Sequence, residues 1–228
     1  MHSVSFGPLS EVYIGRNFYY TKAFSYEEND YSPFYNKTSI RSIQIAGSKS
    51  HINEKEFYGC TNLRVIRIGD GVKRIYKNAF SGCSNLMKVE FGSQMEEISE
   101  EAFSGCTSLK KIVSKATTPP TCKNQALYDI NKWECELYIP EDTEADYRGA
   151  DQWNEFLFIK EGVPALGDAN GDNVTTKEDV ADIENFIFGV IPEDFDEVAA
   201  DANDDGEVNV TDIVVINDYL DYLMKQNK

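Results

Sequence analysis

Three phenylalanines, Phe57, Phe80 and Phe103, recur every 23 residues, and this period constrains the fold more than any other feature of the sequence. Cysteines and leucines keep the same step, at Cys60, Cys83, Cys106, Leu63, Leu86 and Leu109. The shared pattern is F-x-G-C-x-x-L-x-x-[IV]-x-[IF], which the third copy keeps less well at its end. A period of this length indicates a solenoid, in which each turn buries its apolar face only against neighbouring turns.

The repeat extends toward the N-terminus. Phe34 and Ile40 keep the Phe-to-Leu spacing of six residues and lead into a strand that contains Ile43. Leu9 and the residues after it form an earlier strand of the same kind, so the sequence predicts at least five turns. We interpret the aromatic and polar stretch between this earlier strand and Phe34 as an insertion in one repeat, on a side of a solenoid that often binds ligands.

The repeat resembles the BspA-type leucine-rich repeats of bacterial surface proteins, with a Gly-Cys pair before the central leucine, over residues 9 to about 161. The segments KATTPPTCKNQAL and LYIPEDTEADYRGADQWNEFLFI are similar to the C-terminal end of that family, where a strand leads to a short helix that closes the core. Trp133 and Trp153 lie in this closing region, and we expect both to anchor it.

Two residues depart from the repeat pattern in one turn. Lys49 stands where the following turns have Val72 and Met95, and Glu56 stands where they have alanine. Charged residues are rarely buried without a partner. We therefore expect this turn to be looser or locally exposed.

Strand residues between the core positions point outward and offer a binding surface. The central outward positions are Tyr13, Gln44, Arg67, Glu90 and Val113, a chemically mixed row that names no ligand. A specific site and an ordinary solvated face remain equally open here. The aromatic residues Phe18, Tyr19 and Tyr20 of the predicted insertion are the better binding candidates.

The chain has five cysteines. Those at Cys60, Cys83 and Cys106 occupy equivalent places in successive turns, without partners at zinc-site spacing, so we expect them to be buried thiols. The other two, Cys122 and Cys135, lie in the closing segment, and the sequence leaves open whether they form a disulfide.

A twelve-residue acidic loop occurs twice near the C-terminus, at Asp168–Asp179 and Asp201–Asp212, offset by 33 residues. Oxygen-bearing residues stand at loop positions 1, 3, 5, 9 and 12, and position 7 contributes its backbone carbonyl, as a hard cation requires. The sequence therefore predicts two calcium ions. Their expected ligands are Asp168, Asn170, Asp172, Val174, Thr176, Asp179, Asp201, Asn203, Asp205, Glu207, Asn209 and Asp212.

Each loop precedes a stripe of apolar residues at helical spacing, so each unit is predicted to be a loop followed by one helix. A helix entering the first loop is not expected, because Gly162–Gly167 contains two glycines and a proline. This duplicated unit, with Asp at position 12, resembles the dockerin domain of bacterial extracellular assemblies. We predict an α+β chain in which residues 1–162 form the leucine-rich-repeat solenoid with its closing segment and 163–228 a small α-helical dockerin-like domain.

The dockerin resemblance implies a cohesin module as partner, recognised by residues at loop positions 10 and 11. These are Lys177 and Glu178 in the first half and Val210 and Thr211 in the second, and their difference favours one docking orientation through the second half. The alternative is a dockerin-like fold that only caps or stiffens its own chain.

Charge separates the two predicted domains. Residues 163–228 contain 17 Asp and Glu against three Lys, a net charge of −14 out of −17 for the chain. Without calcium the clustered carboxylates would repel one another, so we expect the ion-free module to be partly unfolded. This acidity argues against a nucleic-acid partner, and no apolar run is long enough for membrane insertion. We expect a monomer.

Catalysis has little support, because the chain has only two histidines and no nucleophile or phosphate-binding motif. No secretion signal begins the sequence, yet a calcium module and adhesin-like repeats imply export, so we expect a mature or truncated form of an extracellular or surface protein. The sequence thus predicts a non-enzymatic binding protein, with its repeats on a protein or host-surface ligand and its dockerin-like domain on a scaffold. The alternatives are an adhesin without a cohesin and, less favoured, a carbohydrate-processing enzyme.

Overall fold

A computed structural model of the chain describes residues 10–15, 32–172 and 174–226. The chain divides into two compact units, Met1–Gly162 and Val163–Lys228. Phe18, Tyr19 and Tyr20 lie outside the described residues.

The N-terminal unit is a stack of short parallel strands joined by turns. Its longer strands form one parallel sheet in the order β1-β2-β4-β6-β8-β10-β11, and its two-residue strands form a second parallel sheet in the order β3-β5-β7-β9. Neighbouring strands come from successive repeats, so the solenoid advances by one strand in each sheet per turn. The strands are β1 (Glu11–Ile14), β2 (Ser42–Ile45), β3 (His51–Ile52), β4 (Val65–Ile68), β5 (Arg74–Ile75), β6 (Lys88–Phe91), β7 (Glu97–Ile98), β8 (Lys111–Ser114), β9 (Thr121–Cys122), β10 (Glu136–Ile139) and β11 (Phe158–Glu161).

The repeated phenylalanines form a ladder through the core. The rings of Phe34, Phe57, Phe80 and Phe103 stack in sequence, with 5.2 Å between successive centroids. This distance is close to the separation of neighbouring strands, about 4.8 Å, because each ring is carried by the next turn. The backbone conformation explains the glycine that precedes each of these cysteines. Gly82, for example, has a positive φ (78°), a conformation that would be strained in a residue with a side chain.

The repeated cysteines form a second ladder. Each thiol is buried and donates a hydrogen bond to the carbonyl of the phenylalanine one turn earlier: Cys60 to Phe34 (3.1 Å), Cys83 to Phe57 (3.3 Å) and Cys106 to Phe80 (3.4 Å). Cys122 and Cys135 are also buried, and all five cysteines are free. Burial raises the thiol pKa of Cys60 to about 11 and those of Cys122 and Cys135 to about 12.

We therefore expect the native protein to react slowly with a thiol reagent. At pH 8 the thiolate form of these residues is at least about a hundredfold scarcer than that of an ordinary cysteine, and burial adds a steric barrier. A chromogenic disulfide should count five thiols in urea and almost none on the same timescale in the native state. A count of three in urea would show that Cys122 and Cys135 are paired.

The closing segment covers the last repeat with aromatic side chains. Helix α1 (Glu144–Gly149) carries Tyr147, whose hydroxyl donates to the Ala116 carbonyl at 2.8 Å. Trp153 is fully buried, and its indole N–H donates to the Pro120 carbonyl at 2.8 Å. Trp133 does not anchor this segment as predicted, because 73% of it is exposed.

The turn that contains Lys49 and Glu56 is neither loose nor exposed, so this prediction is wrong. Both side chains are fully buried and form an ion pair, with Lys49 Nζ 2.5 Å from Glu56 Oε1. The second carboxylate oxygen accepts from Asn53 through its backbone N–H at 2.7 Å and its Nδ2 at 3.0 Å. The two departures from the repeat pattern compensate each other.

The C-terminal unit contains helices α2 (Lys177–Ile187), α3 (Glu197–Ala200) and α4 (Val210–Gln226). As predicted for the first loop, no helix precedes it within 163–167. The short helix α3, which was not predicted, ends directly before the second loop. Helices α2 and α4 pack against each other around a small core. Its buried members are Ala169, Val180, Ile183, Ala200, Ala202 and Ile216.

Candidate metal-binding loops and repeat surface

The two acidic loops are held by matching hydrogen bonds between side chains and backbone. In each loop the asparagine at position 3 accepts from the backbone N–H of position 5, and the aspartate at position 5 accepts from the N–H of position 7. The bonds are Asp172 N–H to Asn170 Oδ1 (3.0 Å), Asp205 N–H to Asn203 Oδ1 (2.8 Å), Val174 N–H to Asp172 Oδ1 (2.8 Å) and Glu207 N–H to Asp205 Oδ1 (2.9 Å). The loops are therefore duplicated in geometry as well as in sequence.

The last aspartate of each loop joins the loop to the helix that follows. Asp179 Oδ2 accepts from Thr176 N–H at 2.7 Å, and Thr176 caps the N-terminus of α2. Asp212 Oδ2 accepts in the same way from Asn209 N–H at 2.9 Å. This reciprocal arrangement is a capping box. Position 12 thus has a structural role that the sequence analysis missed, although a hydroxyl or amide residue followed three positions later by an acid is its usual signal.

The carboxylates at the first and last positions of each loop are buried. Asp179 and Asp212 have no exposed surface, and Asp168 and Asp201 are 7% and 5% exposed. Burial, followed by the nearby charge of Asp204, raises the pKa of Asp201 to about 7. Collecting buried negative charge is unfavourable unless a cation compensates it.

The donor set of each loop consists of carboxylate, amide, hydroxyl and carbonyl oxygens, which are the ligands that Ca²⁺ prefers. Among the described residues, however, no three His, Cys, Asp or Glu side chains are arranged as a ready metal cluster. The carboxylates instead bond backbone N–H groups of their own loops. To coordinate an ion, these side chains would therefore have to turn toward the centre of a loop. The backbone of each loop is already held in shape by the loop's own hydrogen bonds.

Not every residue predicted to lie on the outward face of the first sheet is exposed. Tyr13 is 68% exposed and Gln44 is also exposed, whereas Val113 is buried, contrary to the prediction. Arg67 lies 3.9 Å from Glu90, and Glu90 also pairs with Lys115. Exposed polar area for a ligand is therefore concentrated at the N-terminal end of this row.

The residues predicted to bind a partner differ in their surroundings. Val210 is 62% exposed, and Val214, one helical turn later on α4, is 58% exposed. The Thr211 hydroxyl accepts a hydrogen bond from Asn203 Nδ2 at 2.7 Å, within its own loop. In the other half, Glu178 is exposed, and the Lys177 ammonium group donates to the side chain of Asn217 on α4.

Parallel strands, a period of 23 residues and ladders of Phe, Cys and Leu define the class of the N-terminal unit as a leucine-rich-repeat solenoid. The family model of the BspA type leucine-rich repeat region matches residues 28–142 in six copies. The chain belongs to this family. The matched region contains only repeats and the start of the closing segment, and it ends before both acidic loops.

Two solved structures match part of the chain. A leucine-rich repeat protein from Bacteroides ovatus ATCC 8483 is 26% identical, with 58% of this chain and 33% of that chain covered and a TM-score of 0.42. A leucine-rich cell surface protein from Faecalibacterium prausnitzii A2-165 is 17% identical, with 71% and 45% covered and a TM-score of 0.32. The chain spans less than half the length of either relative. No curated protein matches it significantly.

Among the helices of the described residues, none combines the length and the apolar character that a membrane span requires.

Proposed function

We propose that the chain is an extracellular or cell-surface binding protein without catalytic activity. Its repeats bind a protein or surface ligand, and its C-terminal unit, loaded with two Ca²⁺, acts as a dockerin-like module that attaches to a cohesin-type scaffold. Membership of a repeat family rather than a catalytic one supports the binding role. A similar solved structure described as a cell surface protein supports the location.

The observation that carries the calcium proposal is the duplication of the loop–helix unit. Three hydrogen bonds, accepted by the side chains at loop positions 3, 5 and 12, recur in both loops although the residues between these positions differ. Helix capping alone accounts for positions 9 and 12. Helix capping does not explain why positions 1, 3 and 5 also carry side-chain oxygen atoms, which an ion-binding loop requires as metal ligands.

The docking surface proposed on this unit is the N-terminal end of α4. Val210 and Val214 form an exposed apolar pair there, as suits the centre of a protein interface. The equivalent residue on α2 is Lys177, whose ammonium group donates a hydrogen bond to the side chain of Asn217. The first half therefore has a fixed, charged side chain at the position where the second half has an apolar one. This difference supports a single docking orientation.

We expect Val210→Asp to weaken calcium-dependent binding to a cohesin module by about ten- to a hundredfold, because an unpaired charge would be desolvated in the interface. Binding is measured by biolayer interferometry against a panel of cohesin modules, in calcium and in chelator. Val190→Asp is the matched control, because Val190 is equally exposed (60%) but lies between the two loop–helix units.

Equal affinity of Val210→Asp and the native chain for a bound cohesin would refute docking through this end of α4. Calcium-loaded protein that binds no cohesin would instead favour an adhesin whose dockerin-like unit has a structural role.

A further inference from the structure

The chain contains a single Asn-Gly pair, Asn170-Gly171, and it lies in the first acidic loop. The Cγ atom of an asparagine can be attacked by the backbone nitrogen of the next residue, which closes a succinimide ring. Glycine favours this attack because it has no Cβ to shield its nitrogen and because its backbone is conformationally permissive. The second loop has Asn203 and Asp204 at the equivalent positions, so the chain contains its own comparison.

Both asparagine side chains are folded back over their own backbone. Asn170 Oδ1 accepts from the Asp172 N–H at 3.0 Å, and Asn203 Oδ1 accepts from the Asp205 N–H at 2.8 Å. A turn of this kind, in which the side chain accepts from the residue two positions on, keeps Cγ close to the intervening backbone nitrogen. The orientation of the side chain therefore favours ring closure in both loops.

The attacking nitrogen differs between the loops. In the second loop the Asp204 N–H donates to the Asp201 carbonyl at 3.2 Å, so its proton and its orientation are held. Within the part of the chain that the structure describes, the Gly171 N–H makes no hydrogen bond. Gly171 is exposed, and a Cβ added to it would meet no atom within 4 Å, whereas Asp204 is only 6% exposed. Water and base therefore reach the nitrogen of the first loop more readily than that of the second.

The amide nitrogen that leaves in this reaction is also held differently in the two loops. Asn203 Nδ2 donates to the Thr211 hydroxyl at 2.7 Å and to Asp205 Oδ2 at 3.0 Å. Asn170 Nδ2 donates to Asp172 Oδ2 at 3.2 Å and, among the described residues, to no other group. Loss of the amide therefore breaks two hydrogen bonds in the second loop and one in the first.

We propose that Asn170 is a site of spontaneous deamidation through a succinimide and that Asn203 is protected from this reaction. The Gly171 nitrogen loses its proton and bonds to Asn170 Cγ, and Nδ2 leaves as ammonia with that proton. Water then adds to one of the two succinimide carbonyl carbons, and the ring C–N bond at that carbon breaks. Addition at Cγ gives aspartate. Addition at the backbone carbonyl carbon gives isoaspartate, in which the main chain runs through the former side chain.

The modification changes the first loop and leaves the second loop as it is. Position 3 of the first loop exchanges an amide oxygen for a carboxylate or, in isoaspartate, the main chain between positions 3 and 4 becomes longer by one carbon. Either product alters one ligand of the ion proposed for this loop. That consequence rests on the calcium proposal, whereas the covalent change does not. The proposed docking residue Val210 follows the other loop and is not affected.

The test is peptide mapping by mass spectrometry during prolonged incubation of the full chain at mildly alkaline pH. Chromatography separates the asparagine, aspartate and isoaspartate forms of each loop peptide, and an isoaspartate-specific methyltransferase identifies the last of them. The chain is incubated folded, in calcium chloride, and unfolded, in urea with chelator. In the folded chain we expect Asn170 to be modified at least about tenfold faster than Asn203.

Two matched variants separate the geometry of the loops from the Asn-Gly sequence. Asp204→Gly gives the second loop the same pair, and Asn203 should still react at least about tenfold more slowly than Asn170 in the folded chain. In urea the two asparagines of this variant should react at similar rates. Gly171→Asp gives the first loop the pair of the second and should slow Asn170 at least about tenfold. Aspartate tolerates this backbone conformation, since φ is 73° at Gly171 and 55° at Asp204.

Two results would overturn the proposal. One is that Asn170 is modified no faster than Asn203 in the folded native chain. The other is that the two asparagines of the folded Asp204→Gly variant react equally fast, which would reduce the difference to sequence alone. Circular dichroism shows whether the C-terminal unit is folded, and calorimetry shows separately whether it binds calcium. Failure of the calcium proposal would therefore leave the meaning of both results unchanged.

Discussion

Replacing Glu56 with alanine should lower the free energy of unfolding of the repeat unit by about 3–5 kcal/mol, because it leaves the Lys49 ammonium group buried without its partner. The pair is fully inaccessible, and Lys49 Nζ lies 2.5 Å from Glu56 Oε1. Removing both charges should cost far less. The double variant Lys49→Met/Glu56→Ala places in this turn the residue types that Met95, Ala79 and Ala102 supply at the equivalent positions of later turns.

We expect this double variant to be within about 1 kcal/mol of the native chain or more stable, as is found when buried ion pairs are replaced by well-packed apolar residues. Urea unfolding followed by the fluorescence of buried Trp153 measures the effect. The control is Lys73→Met and Glu96→Ala, singly and together, since that pair is about half exposed at each side chain and should contribute less than about 1 kcal/mol. A double variant as unstable as the sum of its singles would show that the two residues do not compensate each other.

Removing calcium should unfold much of the C-terminal unit while leaving the repeats intact. An ion that binds only the folded state stabilises it by about 2.7 kcal/mol at a hundred times its dissociation constant, so two ions supply about 5 kcal/mol. The core of this unit is small, and its loops carry buried carboxylates. We expect this contribution to be a large share of its stability.

Far-UV circular dichroism is the readout for this unit, because α2 and α4, with 11 and 17 residues, contain most of the described helix. Tryptophan fluorescence should not respond to chelation, since both tryptophans precede residue 163. Calorimetry should show two binding events per chain. The variant Asp168→Ala/Asp201→Ala should lose the heat and the calcium-induced stabilisation.

The variant Asp218→Ala/Asp221→Ala removes the same charge from the exposed surface of α4 and should keep both. Absence of calorimetric heat together with an unchanged dichroism spectrum in chelator would contradict the calcium proposal. The loops would then be shaped by their own hydrogen bonds and helix caps alone.

Much of the fold could be predicted from the sequence because a solenoid repeats one local solution. The spacing of Phe57, Phe80 and Phe103 predicted a stack of turns, and their rings stack. Cysteine burial followed from the same register. In the acidic loops the position of each oxygen-bearing residue could be read from the sequence. The capping hydrogen bonds of Asp179 and Asp212 were not predicted.

Errors arose where a side chain was judged only by its own type or by its own place in the sequence pattern. Lys49 or Glu56 alone is incompatible with a core, yet the two lie together across one turn and neutralise each other. Val113 was assigned to the outward face and is buried, while Trp133 was assigned to the closing core and is largely exposed. In each case the environment is set by neighbours that a single position of the pattern does not contain.

The sequence by itself determined the repeat period, the residues that form the core ladders and the duplication of the acidic loops, because each depends on spacing along the chain. Only the tertiary structure decided which departures from the pattern compensate each other and which side chains of the predicted outward face are buried. These contacts join residues a full turn apart or across the core. Their energies depend on distance and burial, which exist only once the turns have stacked.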